Sequence, residues 1–298
     1  MRLRQWHQDD VSQVDSLLQP SADPLWVKQF HALHGPDRDG SGWSRTLVAV
    51  DVDGRMVGCA TVTESLLHGS RLPCAIEVAP HARRRGIGTR LLKEMRALRL
   101  DDSRPLSTKV RQRDSVAMAF VSAVGGRMYQ RSPGIVVSPR ATGIQQWVQS
   151  RSVCGCRNLE ETPIPELAQA FAALYEWIHR PWSPVTSEEV LSQTAAMEAS
   201  DIDRAGSAGF WRDGQLTAVA FAFDSKEGVE VVAETIRPDE PGGIDAVADT
   251  VAMVIGSAER RDRGFVAFDS HLSDPHLQPV LAALPHVRTH PLDLIEIS

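Results

Sequence analysis

The chain has 298 residues, 42% of them hydrophobic and 23% charged, with a formal net charge of −6. That mixture excludes a disordered chain, and the acidic sum excludes broad nucleic-acid binding by phosphate neutralisation. No apolar run approaches the roughly 20 residues of a membrane span, and Met1 to Trp6 lack the apolar core of a signal peptide, so a cytoplasmic protein without a membrane partner is expected.

The opening residues Arg2 to Trp6 read as a short strand, and Asp9 or Asp10 can cap a helix carrying Val11, Val14, Leu17 and Leu18. Pro24 starts a second helix with Leu25, Trp26, Phe30 and Leu33 at helical spacing. After a polar loop, residues 46–51 and 56–63 flank Val52-Asp53-Gly54-Arg55 as a β-hairpin. Ala75 to Ala79 is a strand stopped by Pro80; then come Arg83, Arg84 and Arg85, Gly86-Ile87-Gly88, and a helix with Leu91, Leu92, Met95 and Leu98 on one face. A strand at Leu106 to Val110, a helix from Ser115 to Val124 ended by Gly125-Gly126, and a closing strand at Ile135 to Val137 complete the first half. The polar stretch from Ser138 to Arg151 reads as a linker. The boundary is set near 145, giving domains 1–145 and 146–298.

The second half repeats this grammar. Helices are expected from Pro165 to Ile178 and Thr186 to Ala199, a hairpin from Ala208 to Phe223, and a strand from Val229 to Ile236 stopped by Pro238. A helix from Ile244, a strand from Phe265 to Asp269 and a helix near His276 to Leu284 follow, so the internal period is about 150 residues. Cys59, Cys74, Cys154 and Cys156 suit reduced thiols, the first two as core residues. The histidines, including His7, His31, His34, His68, His81, His271, His276 and His286, show no metal-ligand spacing, and no metal is expected.

The chemistry concentrates between Ala75 and Ala97. A strand feeding a glycine turn that opens a helix presents unpaired amides to an anion, glycine lets a phosphate approach the backbone, and arginines add charge-assisted bonds. The dinucleotide fingerprint needs a third glycine where this chain has Leu91, and the G-K-S or G-K-T of a P-loop is absent.

What stands instead is R-x-x-G-x-G (Arg83, Gly86, Gly88) after V-x-P (Val78, Pro80). This resembles the GNAT superfamily of acyl-CoA-dependent N-acyltransferases, and the element order β-α-α-β-β-β-α-β-α-β over residues 1–138 fits its fold. The resemblance implies an α/β (α+β) architecture of two tandem GNAT-like domains, each a mixed, mostly antiparallel sheet flanked by helices. It implies acetyl-CoA as cosubstrate, with the backbone of Glu77, Val78 and Ala79 facing the pantetheine and Arg83, Arg84, Arg85, Gly86, Ile87, Gly88 and Thr89 around the pyrophosphate. The family's N-x-x-A-x-x-x-Y-x-x-x-G pattern falls on Asp114, Ala117, Val121 and Gly125, which adds Asp114 and Ala117 to the coenzyme residues.

Attack of an amine on a thioester needs a route for the amine's proton, and Glu77 is the candidate base; pairing with an arginine is its alternative role. Val121 stands where the family has its tyrosine and cannot donate a proton, which leaves Tyr129 as candidate acid. Where the cradle should recur, Asp239-Glu240-Pro241-Gly242-Gly243 brings acids and removes an amide, so the second half reads as a degenerate GNAT domain without coenzyme. Trp177, His179, Trp182 and Glu234 are its candidate acceptor contacts. The expected activity is acetyl-CoA-dependent N-acetylation of a small-molecule primary amine, by a monomer or homodimer. A protein or peptide N-acetyltransferase and a non-catalytic acyl-CoA sensor are the alternatives.

Overall fold

The computed structural model describes residues 1–19, 21–99, 103–285 and 287–298, so His286 lies outside the described residues. Its strands are β1 (Arg2–Gln5), β2 (Ser44–Val50), β3 (Met56–Thr63), β4 (Leu72–Val78), β5 (Leu106–Arg111), β6 (Arg127–Ser132), β7 (Ile135–Val137), β8 (Cys156–Asn158), β9 (Ala208–Arg212), β10 (Gln215–Asp224), β11 (Gly228–Thr235), β12 (Phe265–Asp269), β13 (Arg288–Thr289) and β14 (Leu292–Ile297). The helices are α1 (Val11–Val14), α2 (Pro24–Leu33), α3 (Ile87–Ala97), α4 (Ser115–Ala123), α5 (Thr142–Gln149), α6 (Ile164–His179), α7 (Glu188–Asp201), α8 (Gly243–Arg260) and α9 (Leu277–Ala283). They flank two seven-stranded, mostly antiparallel sheets, ordered β1-β2-β3-β4-β5-β14-β6 and β13-β7-β12-β11-β10-β9-β8. The expected α/β class holds. Among the described residues no helix is long and apolar enough to cross a membrane.

The first unit comprises residues 1–110, 114–129 and 294–298, and the second comprises 111–113 and 130–293. The main division therefore falls at Tyr129 and Gln130, earlier than the 145 expected, and the chain's last residues return to the first unit. Two pairings account for this. The strand Ile135–Val137 does not close the first sheet; it pairs antiparallel with β12 and β13 in the second. Its expected place is taken by β6 and by the C-terminal β14, neither of which the sequence reading assigned. The expected linker is also ordered: Ile144, fully buried, packs with Trp147 and Val148 in the core of the second unit. Those three positions have the i, i+3, i+4 spacing of one helical face, which is why α5 forms there.

In the first unit, Asp23 caps α2 by accepting from the Leu25 amide at 3.0 Å, with Pro24 at the first helical position. Every residue of β3 is buried, because β2 and β4 pair with its two edges and α1, α2 and α3 pack on it. Leu91, Leu92 and Met95 of α3 are buried, each contributing about 1.5–3 kcal/mol of apolar burial, and they fix that helix against β2, β3 and β4. Cys59 and Cys74 are core residues of β3 and β4, where burial pushes both thiols up to about 12. In the second unit, α6 and α7 pack over Val219 and Phe221 of β10, and α8 buries a continuous apolar face on the sheet.

Candidate active site

Strands β4 and β5 are parallel but pair only as Leu72 with Leu106 and Pro73 with Ser107, and among the described residues the ladder stops there. Beyond Pro73, β4 continues against β3 alone as far as Val78. The two parallel strands thus part in the middle of a sheet, and one backbone edge of β4 leads from Ser107 toward the loop that opens α3. Strand parity decides which amides that edge presents. The Leu72 amide bonds toward β5, to the Pro105 carbonyl at 2.9 Å, and the Ala79 amide bonds toward β3, to Val57 at 3.0 Å. Alternation then places the amides of Cys74 and Ile76 on the β5 side. The Ala79 amide is committed to β3, and the Val78 amide is held by the Glu77 carboxylate at 3.1 Å. Of the backbone groups expected to meet a pantetheine, those at Val78 and Ala79 are engaged within the protein. Cys74 and Ile76 were missed because parity depends on the pairing partner and not on the motif.

The loop from Pro80 to Gly86 turns through left-handed residues at Arg84 (φ 63°) and Gly86 (φ 76°), the latter being the N-cap of α3. No side chain caps that helix, no acid sits in its first turn, and nothing lies within 4 Å of where a Cβ on Gly86 would stand. Arg84, Arg85, Thr89 and Arg90 are exposed around it. Unpaired amides, the helix N-terminus and this ring of cations make an anion site at one end of the diverging strands. Ile87 serves the core instead, its side chain buried against the backbone of Gly58. Gly88 is needed for packing as well: a Cβ there would stand 3.2 Å from the Phe120 ring.

Arg83 turns away from the anion site. Its Nε donates to the Val78 carbonyl at 2.9 Å and its Nη2 to Glu77 Oε1 at 3.0 Å. Glu77 Oε2 accepts from Trp26 Nε1 at 2.7 Å. With the Val78 amide, three donors surround this largely buried carboxylate, so Glu77 ties β4, the cradle loop and α2 together. A carboxylate engaged on both oxygens, one of them by a guanidinium, is a brace and not a free base. The arginine pairing that the sequence left open is the one that forms.

Asp114 caps α4, its Oδ1 accepting from the amides of Val116 and Ala117 at 3.1 and 3.0 Å, while Ala117 packs on the core. Val121 is buried. Tyr129 lies on β6, with the Arg71 guanidinium 3.8 Å from its ring centroid and its hydroxyl hydrogen-bonded to Ser107. Burial pushes its phenol up, against the opposing effect of Arg71. Tyr129 therefore stands where β4 and β5 begin to part, and Glu77 stands toward the other end of β4, about 13 Å along the strand from Pro73.

The second unit builds the same loop and fills it. Gly242, left-handed at φ 65°, is the N-cap of α8. A Cβ on Gly243 would meet His276 Cδ2 at 2.6 Å and Thr235 Cγ2 at 2.9 Å, so side chains of the chain itself stand on this helix N-terminus. Glu240 is buried and paired with Arg212 at 2.7 Å and Arg237 at 3.4 Å. Glu234, fully buried, accepts from the Thr235 amide at 2.8 Å and from the His276 and Leu277 amides at 3.3 and 3.2 Å, and it meets His276 Nδ1 at 2.7 Å. Every contact of Glu234 is internal: it caps α9. Trp177 donates to the Thr235 carbonyl at 3.1 Å. His179 is buried, stacked on Tyr175 at 3.9 Å and grouped with Trp182 and His271 at 4.6 and 5.3 Å. The four expected acceptor residues belong to the packing of this unit, and their aromatic spacing is that of a helix C-terminus folding onto the 271–276 loop.

Residues 42–131 match the family model of the acetyltransferase (GNAT) domain. Among solved structures, the chain is similar to a GCN5-related N-acetyltransferase from Sphaerobacter thermophilus, at 15% identity over 99% of this chain and 95% of that one, with a TM-score of 0.66. A tandem GNAT protein from the clavulanic acid biosynthesis pathway, solved without AcCoA, is similar at 16% identity over 100% and 98% of the two chains, TM-score 0.63. A GNAT-family acetyltransferase from Colwellia psychrerythraea follows at 12% identity over the full length of both, TM-score 0.57. No curated protein matches the chain in sequence.

Proposed function

We propose that this chain, whose residues 42–131 match the acetyltransferase (GNAT) domain model, is an N-acetyltransferase whose first unit binds acetyl-CoA and passes the acetyl group to the primary amine of a small molecule. The reading is carried by the contrast between two like-built loops: α3 begins with exposed amides ringed by arginines, and α8 begins under His276 and Thr235. One coenzyme per chain follows, with the second unit lacking a coenzyme site. The amides of Gly86 to Thr89 would hold the diphosphate, with Arg84 and Arg85 adding charge, and the edge of β4 at Ile76 and Cys74 would pair with the amides of the pantetheine arm. The coenzyme supplies a thioester carbonyl as electrophile. An alkylamine with a pKa of about 10.4 must lose a proton before it attacks, and with Glu77 engaged as a brace that proton leaves to solvent. The chain's acidic balance favours a cationic acceptor.

Val121 at the position of the family's tyrosine supports a second reading, an acyl-CoA sensor that does not turn over. Calorimetry with acetyl-CoA, run beside thiol release over a panel of small amines and basic peptides with mass detection of the product, separates these. Binding near one site per chain with an acetyl increment on a small amine is the expected result. Transfer to peptides alone moves the acceptor class; binding at no site, or at two, refutes the reading.

A further inference from the structure

We propose that the second unit carries a binding site of its own for a small zwitterion, a free α-amino acid, in the cleft where β8 and β9 meet the start of α6. Every residue of this cleft belongs to the second unit and lies outside the α8 loop, so the site stands apart from the coenzyme reading. The cleft has a volume of about 210 Å³, and Arg157, Trp211, Glu161, Thr162, Pro163 and Glu166 line it. That is room for a molecule of amino-acid size and too little for a larger ligand, which takes roughly 300–1,000 Å³.

Strand register sets the cationic wall. Arg157 on the edge strand β8 stands directly opposite Gly209 on β9, and Trp211, two residues along, shares that face. With no side chain at Gly209, the indole lies across it: a Cβ there would meet Trp211 Cη2 at 2.6 Å. Arg157 then lays its guanidinium on the ring, 4.0 Å from the ring centroid. A stacked guanidinium is held by its face and keeps the N–H groups at its edge for an acceptor. The acidic wall follows β8 in the chain. A turn closed by the Thr162 amide on the carbonyl of the fully buried Leu159, at 3.0 Å, carries Glu161, and Glu166 stands in the first turn of α6. Thr162 is 8% exposed, and its hydroxyl takes no hydrogen bond among the described residues.

Among the described residues Arg157, Glu161 and Glu166 form no ion pair, so guanidinium and carboxylates share one cleft while standing more than 4.0 Å apart. Charge then decides the ligand class. An anion meets Arg157 but also two carboxylates, and a cation meets the carboxylates but also Arg157. A molecule carrying both signs satisfies both walls at once. An α-amino acid holds its carboxylate and ammonium one carbon apart, and it can bridge opposite charges that are too distant to pair with each other.

Binding to the full chain without coenzyme tests this. The probes are L-alanine, propionate, which is alanine without its ammonium, and ethylamine, which is alanine without its carboxylate. With isotope-labelled tryptophan, the Trp211 indole resonance (identified by its loss in Trp211→Phe) reports the cleft. L-Alanine should shift it saturably, with each half-ligand roughly fivefold weaker or more for the charged contact it lacks. Arg157→Gln should weaken L-alanine and propionate and leave ethylamine no weaker. The double variant Glu161→Gln, Glu166→Gln should weaken L-alanine and ethylamine and leave propionate no weaker. All three side chains are exposed, so melting temperatures should stay near that of the unaltered protein. No saturable shift at Trp211, a shift confined to other indoles, or half-ligands that bind as tightly as L-alanine would overturn the assignment. Variants that weaken all three probes alike, or none of them, would overturn it too.

Discussion

Gly86→Glu and Gly242→Glu form a matched pair, because both glycines cap a helix from the left-handed region, at φ 76° and 65°. Any L-residue there costs about 1–2 kcal/mol, so the two variants should lose similar stability. Neither new side chain meets a steric block: nothing lies within 4 Å of the Cβ position at Gly86, and at Gly242 only an Arg212 nitrogen stands at 3.5 Å. Their effects on the coenzyme differ. A carboxylate about 5 Å from a diphosphate meets two charges at about 0.8 kcal/mol each even at the dielectric of water. That repulsion of about 1.7 kcal/mol is roughly 15-fold in affinity. It is a lower bound, since the site lies against low-dielectric protein and the side chain also blocks the amides. Calorimetry with acetyl-CoA on both variants, with melting curves as the stability control, should show Gly86→Glu at least that much weaker and Gly242→Glu unchanged. Equal affinities in the two variants, whether kept or lost, would refute the assignment of a single cradle.

Glu77→Gln leaves one acceptor oxygen for three donors, so a lower melting temperature and weaker coenzyme binding are expected, with the shape of the pH–rate profile retained. A variant of unchanged stability that loses the basic-side rise in rate would restore Glu77 as the base. Gly243→Ala drives a methyl to 2.6 Å from His276 Cδ2, an overpacking cost of about 1–3 kcal/mol. It should lower the melting temperature and leave acetyl-CoA affinity untouched; a change in that affinity would show that the second loop takes part. For Asp274, burial holds the carboxyl above its ordinary range against the opposing contact with His271. The folded state then keeps this proton more tightly than the unfolded one, so stability falls as pH rises from about 4 through the folded value. Asp274→Asn removes that loss, and its melting temperature should gain on the wild type between pH 4 and 7; a gain constant with pH would contradict the sign.

What was legible from sequence is what is local. The cradle spans six consecutive residues, Arg83 to Gly88, and its strand–turn–helix context is encoded by the residues beside it. The role of Glu77 was less legible than its position, because its partner Trp26 comes 51 residues earlier and nothing in either neighbourhood announces the pairing. Val78 and Ala79 were carried over as coenzyme-facing, yet which amides face outward follows from the register with β3. The C-terminal strand carried a signal: Leu292-Asp293-Leu294-Ile295-Glu296-Ile297 is a short, mostly apolar run of strand length. Its destination in the first sheet could not be read, since β5 and β6 lie more than 150 residues away. Residues 138–151 looked like a linker because their polar content hid the apolar face of Ile144, Trp147 and Val148.

The two units also show that charge alone does not decide whether such a loop is open to an anion. The acids of the second loop suggest repulsion of a diphosphate, but Glu240 is buried between Arg212 and Arg237, so its charge is already offset. What excludes a ligand there is volume, with His276 and Thr235 standing on the α8 terminus. Both units begin from one device, a glutamate near the end of the strand whose carboxylate turns back onto the following amide, at 3.1 Å for Glu77 and 2.8 Å for Glu234. The second oxygen decides the outcome. In Glu77 it takes Trp26, leaving the other to share with Arg83, and the loop is held from behind with its amides outward. In Glu234 it takes the His276 and Leu277 amides, which draws the start of α9 in front of the loop and seats an imidazole where a phosphate would lie. A side chain of the same type at the same turn thus preserves one anion site and closes the other, and the difference lies in which helix supplies the partner.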